Sequence, residues 1–563
     1  MTKAEDGRST VSAGEVFLRR LSENGVEYFF ANAGTDFAPV IEAIARGNAL
    51  GEKLPETIVI PHESAAIGMA HGYYLATGRP QAVMVHTNVG LANAVMGLLN
   101  AASDQIPMLV ASGITSVMDD GPLGHRTSPI AWGQNMRDQF GLVRDATKWD
   151  GLLAFPSQAA ELVDRAFAAA MSDPRGPVYL GLPREVLCAE TELPTAPPRN
   201  APARIAPQPA ELDAAAALLD KAERPLIIVQ RADGAPDAEG FAALGAFAEQ
   251  HAIPVVEMAI TRSSLSGLSP MHAGFNMAPE IAEADVILAL DVIVPWLPHR
   301  DRLAESAKVI AAGADPYHLR TPVRNFPADI ALTGRSADII AGLAERMPER
   351  DRSRRYAAIA ERNNKRREAS LAARPDEGVL TSEQVSRAIN RLAGDHGRVI
   401  TELGAKIPAM RFAGHDQIFQ NPLAGGLGWG FPAALGMQLA DRERLTIATL
   451  GDGAYMFANP VACHQIAEAL ALPLMVIVFN NGVWNAVRNT SLQIYPDGYA
   501  AKANQVPLTS LEPAPDYCKV AEASRAWTVR ISDPKQLDTM LDEAARIVRE
   551  ERRQVLVEVM VKP

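Results

Sequence analysis

The stretch Leu445-Thr-Ile-Ala-Thr-Leu450-Gly451-Asp452-Gly453 decides how the C-terminal part of the chain folds. Its apolar and β-branched residues predict a buried strand, and the glycines around Asp452 predict a sharp turn at the carboxyl end of that strand. A second apolar run, Leu474 to Phe479, ends 26 residues after Gly453 at Asn480-Asn481. Because parallel strands share one carboxyl edge of a sheet, we expect Asp452 and Asn481 to lie close together.

A carboxylate and an amide oxygen at one sheet edge are suited to Mg²⁺, which takes hard oxygen ligands and completes its octahedron with phosphate and water. The sequence therefore predicts a site for a magnesium-bound diphosphate. Taken alone, Gly-Asp-Gly is equally typical of a strand-to-helix turn, and Asn-Asn of a turn cap. The pairing of the two motifs at this spacing favours the site.

With these motifs the chain resembles the thiamine diphosphate (ThDP) enzymes of the acetolactate synthase and benzoylformate decarboxylase superfamily. The resemblance implies that Asp452, Asn481 and the carbonyl of Val483 bind Mg²⁺. It also implies that Gly451, Asp452, Gly453 and Ala454 lie against the cofactor.

Glu63 follows an apolar run, Ile58-Val-Ile-Pro-His, and precedes a segment rich in small residues. The resemblance implies that Glu63 hydrogen-bonds a ring nitrogen of the aminopyrimidine of ThDP and takes part in proton transfer there. The alternative is an acid in the first turn of a helix, stabilised by the helix dipole. Its occurrence together with the metal motif favours the catalytic role.

The run Gly425-Gly426-Leu427-Gly428-Trp429-Gly430 places one large apolar residue among glycines. Glycines let a backbone carbonyl approach a ligand without obstruction. The resemblance implies that Leu427 is the wedge that bends ThDP and that Gly425 supplies a carbonyl. It also places Gly404-Ala405 near the diphosphate, where benzoylformate decarboxylase has a hydroxyl pair and this chain has only backbone donors.

Composition excludes several classes of protein. The net charge of −12, with no basic run, argues against a nucleic-acid partner. No signal sequence and no stretch of about 18 apolar residues is present, so we expect a cytoplasmic protein with no membrane partner. The three cysteines are widely separated and support neither a disulfide framework nor a zinc site.

The length of 563 residues predicts roughly three domains. A stretch with six prolines, Leu193 to Pro209, and a charge-dense stretch, Glu345 to Arg374, mark the boundaries. We expect a pyrimidine-binding domain over 10–190, a Rossmann-like domain over 205–345 and a diphosphate-binding domain over 375–563. Strands alternate with helices in all three, which predicts an α/β fold of three doubly wound parallel sheets.

The middle domain alternates strands and helices as nucleotide-binding domains do. Its first predicted strand, Pro225 to Val229, is followed by Gln230-Arg-Ala-Asp-Gly234 and not by a glycine-rich phosphate loop. Acetolactate synthases that use FAD usually carry glycines at this point. We therefore expect ThDP and Mg²⁺ as cofactors, and not FAD.

Several residues are candidates to face the substrate. His86 ends a predicted strand, where parallel sheets usually bind ligands, although a buried core histidine is an open alternative. The run after it resembles benzoylformate decarboxylase, which has a proton-relaying histidine here. The second active-site histidine of that enzyme falls nearest Ser269, with His272 displaced. The segment around Gln134 and Asn135 instead resembles acetolactate-synthase-like proteins, so either amide could face the substrate.

The resemblance implies a ThDP- and Mg²⁺-dependent enzyme that decarboxylates a small 2-oxo acid and releases or transfers the acyl carbanion, as a lyase or a transferase. One alternative is a 2-hydroxyacyl lyase or a benzaldehyde-lyase-like carboligase. Another is a non-catalytic structural or regulatory member of the family. The resemblance also implies a homodimer or homotetramer in which Glu63 of one chain serves the same site as Asp452, Asn481 and Leu427 of its partner.

Overall fold

A computed structural model describes residues 2–3, 9–232, 238–372 and 378–562. Two compact units are present: Met1–Arg204 together with Pro422–Ala440, and Ile205–Asn421 together with Asp441–Pro563. They are called unit 1 and unit 2 below. The predicted boundaries at residues 375 and 563, and Asp233 and Gly234 of the segment after the first central strand, lie outside the described residues.

The strands are short and are separated by helices along most of the chain. They are β1 (Thr2–Lys3), β2 (Ser9–Ser12), β3 (Tyr28–Ala31), β4 (Glu56–Val59), β5 (Ala82–Val85), β6 (Leu109–Ile114), β7 (Asp150–Leu152), β8 (Val178–Pro183), β9 (Glu190–Glu192), β10 (Pro225–Val229), β11 (Val255–Glu257), β12 (Val286–Leu290), β13 (Lys308–Gly313), β14 (Ile330–Thr333), β15 (Arg398–Glu402), β16 (Ile418–Gln420), β17 (Thr446–Gly451), β18 (Met475–Asn480), β19 (Trp527–Ile531) and β20 (Val555–Met560).

The helices range from single turns to 19 residues. They are α1 (Ala13–Glu23), α2 (Ala38–Leu50), α3 (Glu63–Thr77), α4 (Thr87–Ser103), α5 (Ile130–Gly133), α6 (Ala159–Met171), α7 (Arg184–Cys188), α8 (Pro209–Lys221), α9 (Glu239–His251), α10 (Ala278–Ile281), α11 (Ser336–Arg346), α12 (Ser353–Leu371), α13 (Ser382–Ala393), α14 (Gly430–Ala440), α15 (Asp452–Phe457), α16 (Pro460–Ala469), α17 (Asn485–Ile494), α18 (Tyr499–Lys502), α19 (Tyr517–Glu522) and α20 (Leu537–Glu550). In the described part of the chain, none of them has the length and apolar character needed to cross a membrane.

Three parallel sheets organise the chain. Unit 1 contains the order β4-β3-β5-β6-β8-β7, and unit 2 contains β11-β10-β12-β13-β14 and β16-β15-β17-β18-β20-β19. A small antiparallel sheet, β1-β2-β9, adds to unit 1. The predicted α/β class with three parallel-sheet domains is confirmed.

The central strands are buried along their whole length because helices cover both faces of each sheet. Every residue of β12 and β18 is buried, and apolar clusters lie on both faces of the sheet that contains β12. Burying one Leu or Ile side chain contributes about 1.5–3 kcal/mol, so these clusters hold the strand ends firmly in place. Polar groups at the carboxyl ends of the strands are thereby fixed in position.

Within unit 1, α3 and α14 pack backbone against backbone. A Cβ at Gly72 would lie 1.9 Å from the carbonyl oxygen of Ala433, and a Cβ at Gly436 would lie 2.0 Å from that of Met69. Only glycine permits this approach. The segment with Gly425 and Leu427, which directly precedes α14, therefore belongs to the same compact unit as Glu63.

Candidate active site

Glu63 is the first residue of α3 and only 9% of its surface is exposed. Asn93 Nδ2, from α4, donates to Glu63 Oε2 at 3.2 Å. A Cβ at Gly90 would lie 3.2 Å from Oε1, so this glycine lets α4 pass close to the carboxylate. A carboxylate offers about four acceptor positions, and the contact with Asn93 leaves room for a further donor.

His86 directly follows β5 and is the N-cap residue of α4. Its Nδ1 hydrogen-bonds Asp36 Oδ1, and Gln134 Nε2 lies 2.9 Å from its Nε2. Because the amide NH₂ can only donate and the carboxylate can only accept, these contacts select, for the neutral form of the ring, the tautomer with the proton on Nδ1. The three side chains form a chain from a carboxylate through an imidazole to an amide.

The sheet register explains this cluster. Asp36 lies just after β3 and His86 just after β5, and the two strands are adjacent and parallel. A Cβ at Gly113, in β6, would lie 1.9 Å from Asp36 Oδ2, so glycine is required for the carboxylate to fit. Thr87 takes a left-handed φ of 30°, which is strained for a β-branched residue, and its N–H points to Asp36 Oδ2 at 3.3 Å.

Electrostatics favour the protonated form of His86. Its pKa is raised above the usual 6.5, first by the hydrogen bond to Asp36 and also by the charges of Asp36 and Glu63, against an opposing effect of burial. The negative charge of Glu63 therefore contributes to the raised pKa of His86. His86 thus faces an ionisable network and is not an isolated core histidine.

The two candidate amides differ in position. Gln134 is 91% buried and contacts His86, whereas Asn135 is exposed. A cavity of about 20 Å³ is lined in part by Asp36, Thr87 and Gln134. This is room for about one water molecule. Of the two alternatives, the structure brings only Gln134 to His86.

The wedge segment is held by α4 as well. Asn100 is 1% exposed, its Nδ2 donates to the Gly426 carbonyl at 2.8 Å, and its Oδ1 accepts from the Gly426 N–H at 3.1 Å. Gly425 takes a left-handed φ of 70°, and Leu427 is half-buried. Asn93 and Asn100 lie seven residues apart on α4, about two helical turns, so they share one face of the helix, and His86 is the N-cap residue seven positions before Asn93.

Unit 2 contains the predicted metal residues. Asp452, 3% exposed, accepts hydrogen bonds from the backbone N–H groups of Gly453 at 2.9 Å, Gly482 at 2.8 Å and Asn481 at 3.2 Å. Burial raises the pKa of the Asp452 carboxyl, while these backbone N–H groups act to lower it. The carboxylate thus links the ends of β17 and β18, as the sequence predicts.

The loop after β18 is an ordered turn. Asn481 Oδ1 accepts from the Val483 N–H at 3.0 Å, and Val483 pairs with Ser510. A Cβ at Gly453 would lie 2.1 Å from the Trp484 ring, which requires glycine at that position. Asp452 and the backbone of Asn481 to Val483 are therefore brought together by the fold.

Gly404 and Ala405 follow β15, the other neighbour of β17. A Cβ at Gly404 would lie 2.6 Å from the Thr449 carbonyl carbon, so the loop runs directly against β17. The Ala405 N–H, expected to be a donor to phosphate, instead points to Thr449 Oγ1 at 3.3 Å. At this long distance the donor is only weakly held.

The residues nearest the expected second histidine have other partners. Ser269 Oγ donates to Glu249 Oε1 at 2.8 Å. His272 Nε2 hydrogen-bonds Glu257 Oε2 at 2.8 Å, and its Nδ1 accepts from the Gly274 N–H at 3.3 Å. Both residues thus have side-chain partners within unit 2.

Sequence reasoning missed Asp36, Asn93 and Asn100. Asp36 carried a detectable signal, because Gly34-Thr35-Asp36 directly follows an apolar strand that precedes the His86 strand. Asn93 and Asn100 could have been found by stepping seven residues along the predicted helix from His86. No sequence signal connects Asn100 to Gly426, since 325 residues separate them.

Comparison with known proteins identifies the family. Residues 11–142 match the N-terminal TPP binding domain of the thiamine pyrophosphate enzymes, residues 212–343 match their central domain, and residues 401–559 match their C-terminal TPP binding domain. These matches cover more than half of the chain. The chain therefore belongs to the thiamine pyrophosphate enzyme family, which confirms the resemblance seen in the sequence.

Individual proteins refine this placement. The acetolactate synthase large subunit of Haemophilus influenzae is 26% identical over 561 residues, covering 95% of this chain and 92% of that protein. A Pseudomonas aeruginosa protein named probable 2-ketoarginine decarboxylase is 27% identical, covering 95% and 91%. The crystal structure of benzoylformate decarboxylase from Polynucleobacter necessarius has a TM-score of 0.81 at 19% identity, with 98% of each chain covered, which shows the shared fold. The chain falls in the acetolactate synthase and decarboxylase group.

Proposed function

We propose that the chain is a ThDP- and Mg²⁺-dependent enzyme that decarboxylates a 2-oxo acid and releases the acyl group or transfers it to an acceptor. The observation that carries the proposal is the Asp36–His86–Gln134 chain, whose histidine lies within the electrostatic influence of Glu63. A titratable group beside a buried carboxylate is suited to proton transfer to and from a reacting acyl group.

The residues fit the proposed cofactors. Among the described residues, the buried Asp452 carboxylate receives hydrogen bonds from backbone N–H donors alone, and its raised pKa means that burial outweighs them. A divalent cation would remove this cost, with Asp452, Asn481 and the Val483 carbonyl as proposed ligands. We assign the diphosphate end to these residues with Gly404, Ala405 and Gly451 to Ala454, and the pyrimidine end to Glu63, Gly425 and Leu427.

Bound ThDP would supply an electron sink for the electron pair left when carbon dioxide departs. Glu63 would exchange a proton with the pyrimidine, because within the described part of the chain the amide of Asn93 is the one side-chain donor to its buried carboxylate. His86 would hold the proton that is added to the acyl group or removed from it. Rotating the Gln134 amide by half a turn presents Oε1 in place of the NH₂, so Gln134 can partner His86 in either protonation state.

The central domain supports the proposal that FAD is not used. Ligands of open α/β sheets bind where strand order reverses, which here is between β10 and β12. At that edge the buried side chains of Arg231 and Asp291 lie 3.3 Å apart, and Gln230 Oε1 accepts from the Ile293 N–H at 3.1 Å. Side chains of described residues thus lie at the edge where a dinucleotide would enter.

The experiment is a screen of purified protein with ThDP and Mg²⁺ against pyruvate, aromatic 2-oxo acids, 2-ketoarginine and 2-hydroxyacyl compounds, with products identified by mass. We expect carbon dioxide from at least one 2-oxo acid. His86→Ala should lower kcat by roughly 10²-fold or more while changing ThDP affinity little. Cleavage of 2-hydroxyacyl compounds without carbon dioxide from any 2-oxo acid would replace the proposal by the lyase alternative.

A further inference from the structure

A cavity of about 370 Å³ lies within unit 2, and none of its lining residues is assigned above to cofactor or substrate. Its walls come from α12, from residues 272–276 and from the turn that contains Pro408 and Arg411. Cavities of this size hold small organic ligands. The charges and hydrogen bonds of its lining residues indicate which kind of ligand it holds.

Three arginines line the cavity: Arg366, Arg367 and Arg411. Arg366 pairs with Glu280, whose single carboxylate is shared with Arg362. Arg367 donates to the carbonyls of residues 268 and 269, and Arg411 to those of residues 408 and 410 and to Ser370 Oγ. Across the described ranges, no carboxylate pairs with Arg367 or Arg411.

The positive charges of Arg367 and Arg411 repel each other. Burial and the nearby charge of Arg367 lower the pKa of Arg411 to about 10. Removing such charges from water without a counter-ion is costly. An anion in the cavity would offset this cost for both arginines.

Two buried polar atoms of the cavity walls lack a hydrogen-bond partner among the residues that the structure describes. Asn363 is 2% exposed, and its Nδ2 donates to the Pro270 carbonyl at 2.9 Å, but its Oδ1 has no partner. Arg411 Nε is likewise a donor without a partner. Buried polar atoms are rarely left unsatisfied, so these two indicate a ligand that both accepts and donates hydrogen bonds.

We propose that this cavity binds a small hydroxylated organic dianion, a phosphate ester or a dicarboxylate. Its anionic group lies between Arg367 and Arg411, and Arg411 Nε donates to it. A ligand hydroxyl donates to Asn363 Oδ1. The ring of Phe275, which packs edge-on against His272 at 5.3 Å, forms an apolar wall for the carbon skeleton.

The test is isothermal titration of the purified protein, in low-chloride buffer with ThDP and Mg²⁺, against glycerol 3-phosphate, malate and, as an uncharged probe, glycerol. We expect saturable binding of at least one dianion and none of glycerol. Arg367→Gln and Arg411→Gln should each weaken binding by roughly tenfold or more, because each removes charge-assisted hydrogen bonds. Lys365→Gln, a charge-matched control on the same helix paired with Glu361, should change it by less than about twofold.

Ser370→Asp provides a second variant that does not remove an arginine. Its carboxylate would be a counter-ion beside Arg411, so we expect a higher melting temperature and loss of dianion binding. The relative affinities for glycerol 3-phosphate and malate distinguish phosphate from dicarboxylate recognition. Absence of saturable binding by either dianion, or equal binding by wild type and both arginine variants, would overturn the proposal.

Discussion

His86 and Asp452 both lie at the carboxyl end of a parallel strand, yet their surroundings differ. Both ring nitrogens of His86 have side-chain partners, Asp36 and Gln134. Asp452 receives three backbone N–H groups, and among the described residues no cationic side chain pairs with it. The cluster in unit 1 is complete within the chain, whereas the one in unit 2 contains a buried charge without a counter-ion.

This difference indicates two kinds of preorganisation. The histidine cluster fixes a tautomer and a pKa through its own side chains, so it should keep its geometry without cofactor. The aspartate cluster should depend on a cation, because burial of an anion with only dipolar partners is unfavourable. The predictions below test the two clusters separately.

Asp452→Ala should have the largest effect, since it removes the only charged ligand proposed for Mg²⁺. We expect ThDP retention after desalting to fall to the level seen for wild type treated with a chelator, with activity lost. Asp497→Ala, which removes an exposed carboxylate, is the control and should retain ThDP. Wild-type retention by Asp452→Ala would place the metal elsewhere.

Glu63→Gln should keep ThDP bound but lower activity by roughly 10²–10⁴-fold, because an amide cannot exchange the proton. Exchange of the thiazolium proton, followed by NMR, should slow in parallel. Glu42→Gln, on the exposed face of α2, is the control. Exchange at the wild-type rate in Glu63→Gln would remove the residue from the mechanism.

Mixing the inactive Glu63→Gln and Asp452→Ala chains tests whether one site draws on two subunits. A mixed dimer would hold one site with both residues intact and one with neither, so activity should return. Subunit exchange must be verified by mass on differently tagged chains. If exchange is complete and activity stays absent, Glu63 of one chain and Asp452 of its partner do not serve the same site.

Asp36→Asn should lower kcat by roughly tenfold or more, because the amide no longer stabilises protonated His86. The pairing raises the pKa of His86 above 6.5, so the stability it contributes is complete below pH 6.5 and is lost as pH rises through the raised pKa. The variant should lose this contribution, and the His86 NMR titration should move to lower pH. An unchanged titration midpoint would show that Asp36 does not act on His86.

Asn100→Ala should have the smallest effect on kcat, because it acts on cofactor binding. It removes two hydrogen bonds to the Gly426 peptide, and at about 1 kcal/mol each we expect ThDP affinity to fall roughly tenfold to thirtyfold. Asn48→Ala, at an exposed position of α2, should leave the affinity unchanged. Unfolding should be measured alongside, since equal affinity with lower stability would assign Asn100 a structural role only.

Much of the fold follows from local patterns. The run Pro225 to Val229 is predicted as a strand and forms β10, and the strand predicted from Leu445 begins one residue later as β17. These strands are recognisable because a parallel sheet buried on both faces requires continuous apolar runs. The shorter β14, whose residues are partly exposed, lacks that pattern and was not predicted.

The candidate site could be predicted only where its chemistry lies in a short motif. Asp452 and Asn481 are found from glycine turns after apolar strands. Asp36 can be recognised as a site residue only once the sheet register places β3 beside β5. Asn100 can be recognised only once the wedge segment packs on α4. Such contacts depend on tertiary packing, which single-sequence patterns do not encode.

The most direct test of the central claim is release of labelled carbon dioxide from 2-oxo acids labelled at the carboxyl carbon. With ThDP and Mg²⁺ present, wild-type protein should release it from at least one member of the panel. Release should stop when a chelator removes the metal, and it should fall by roughly 10²-fold or more in Glu63→Gln. Wild-type protein that binds ThDP yet releases no label from any 2-oxo acid, or release that continues unchanged in Glu63→Gln, would contradict the account.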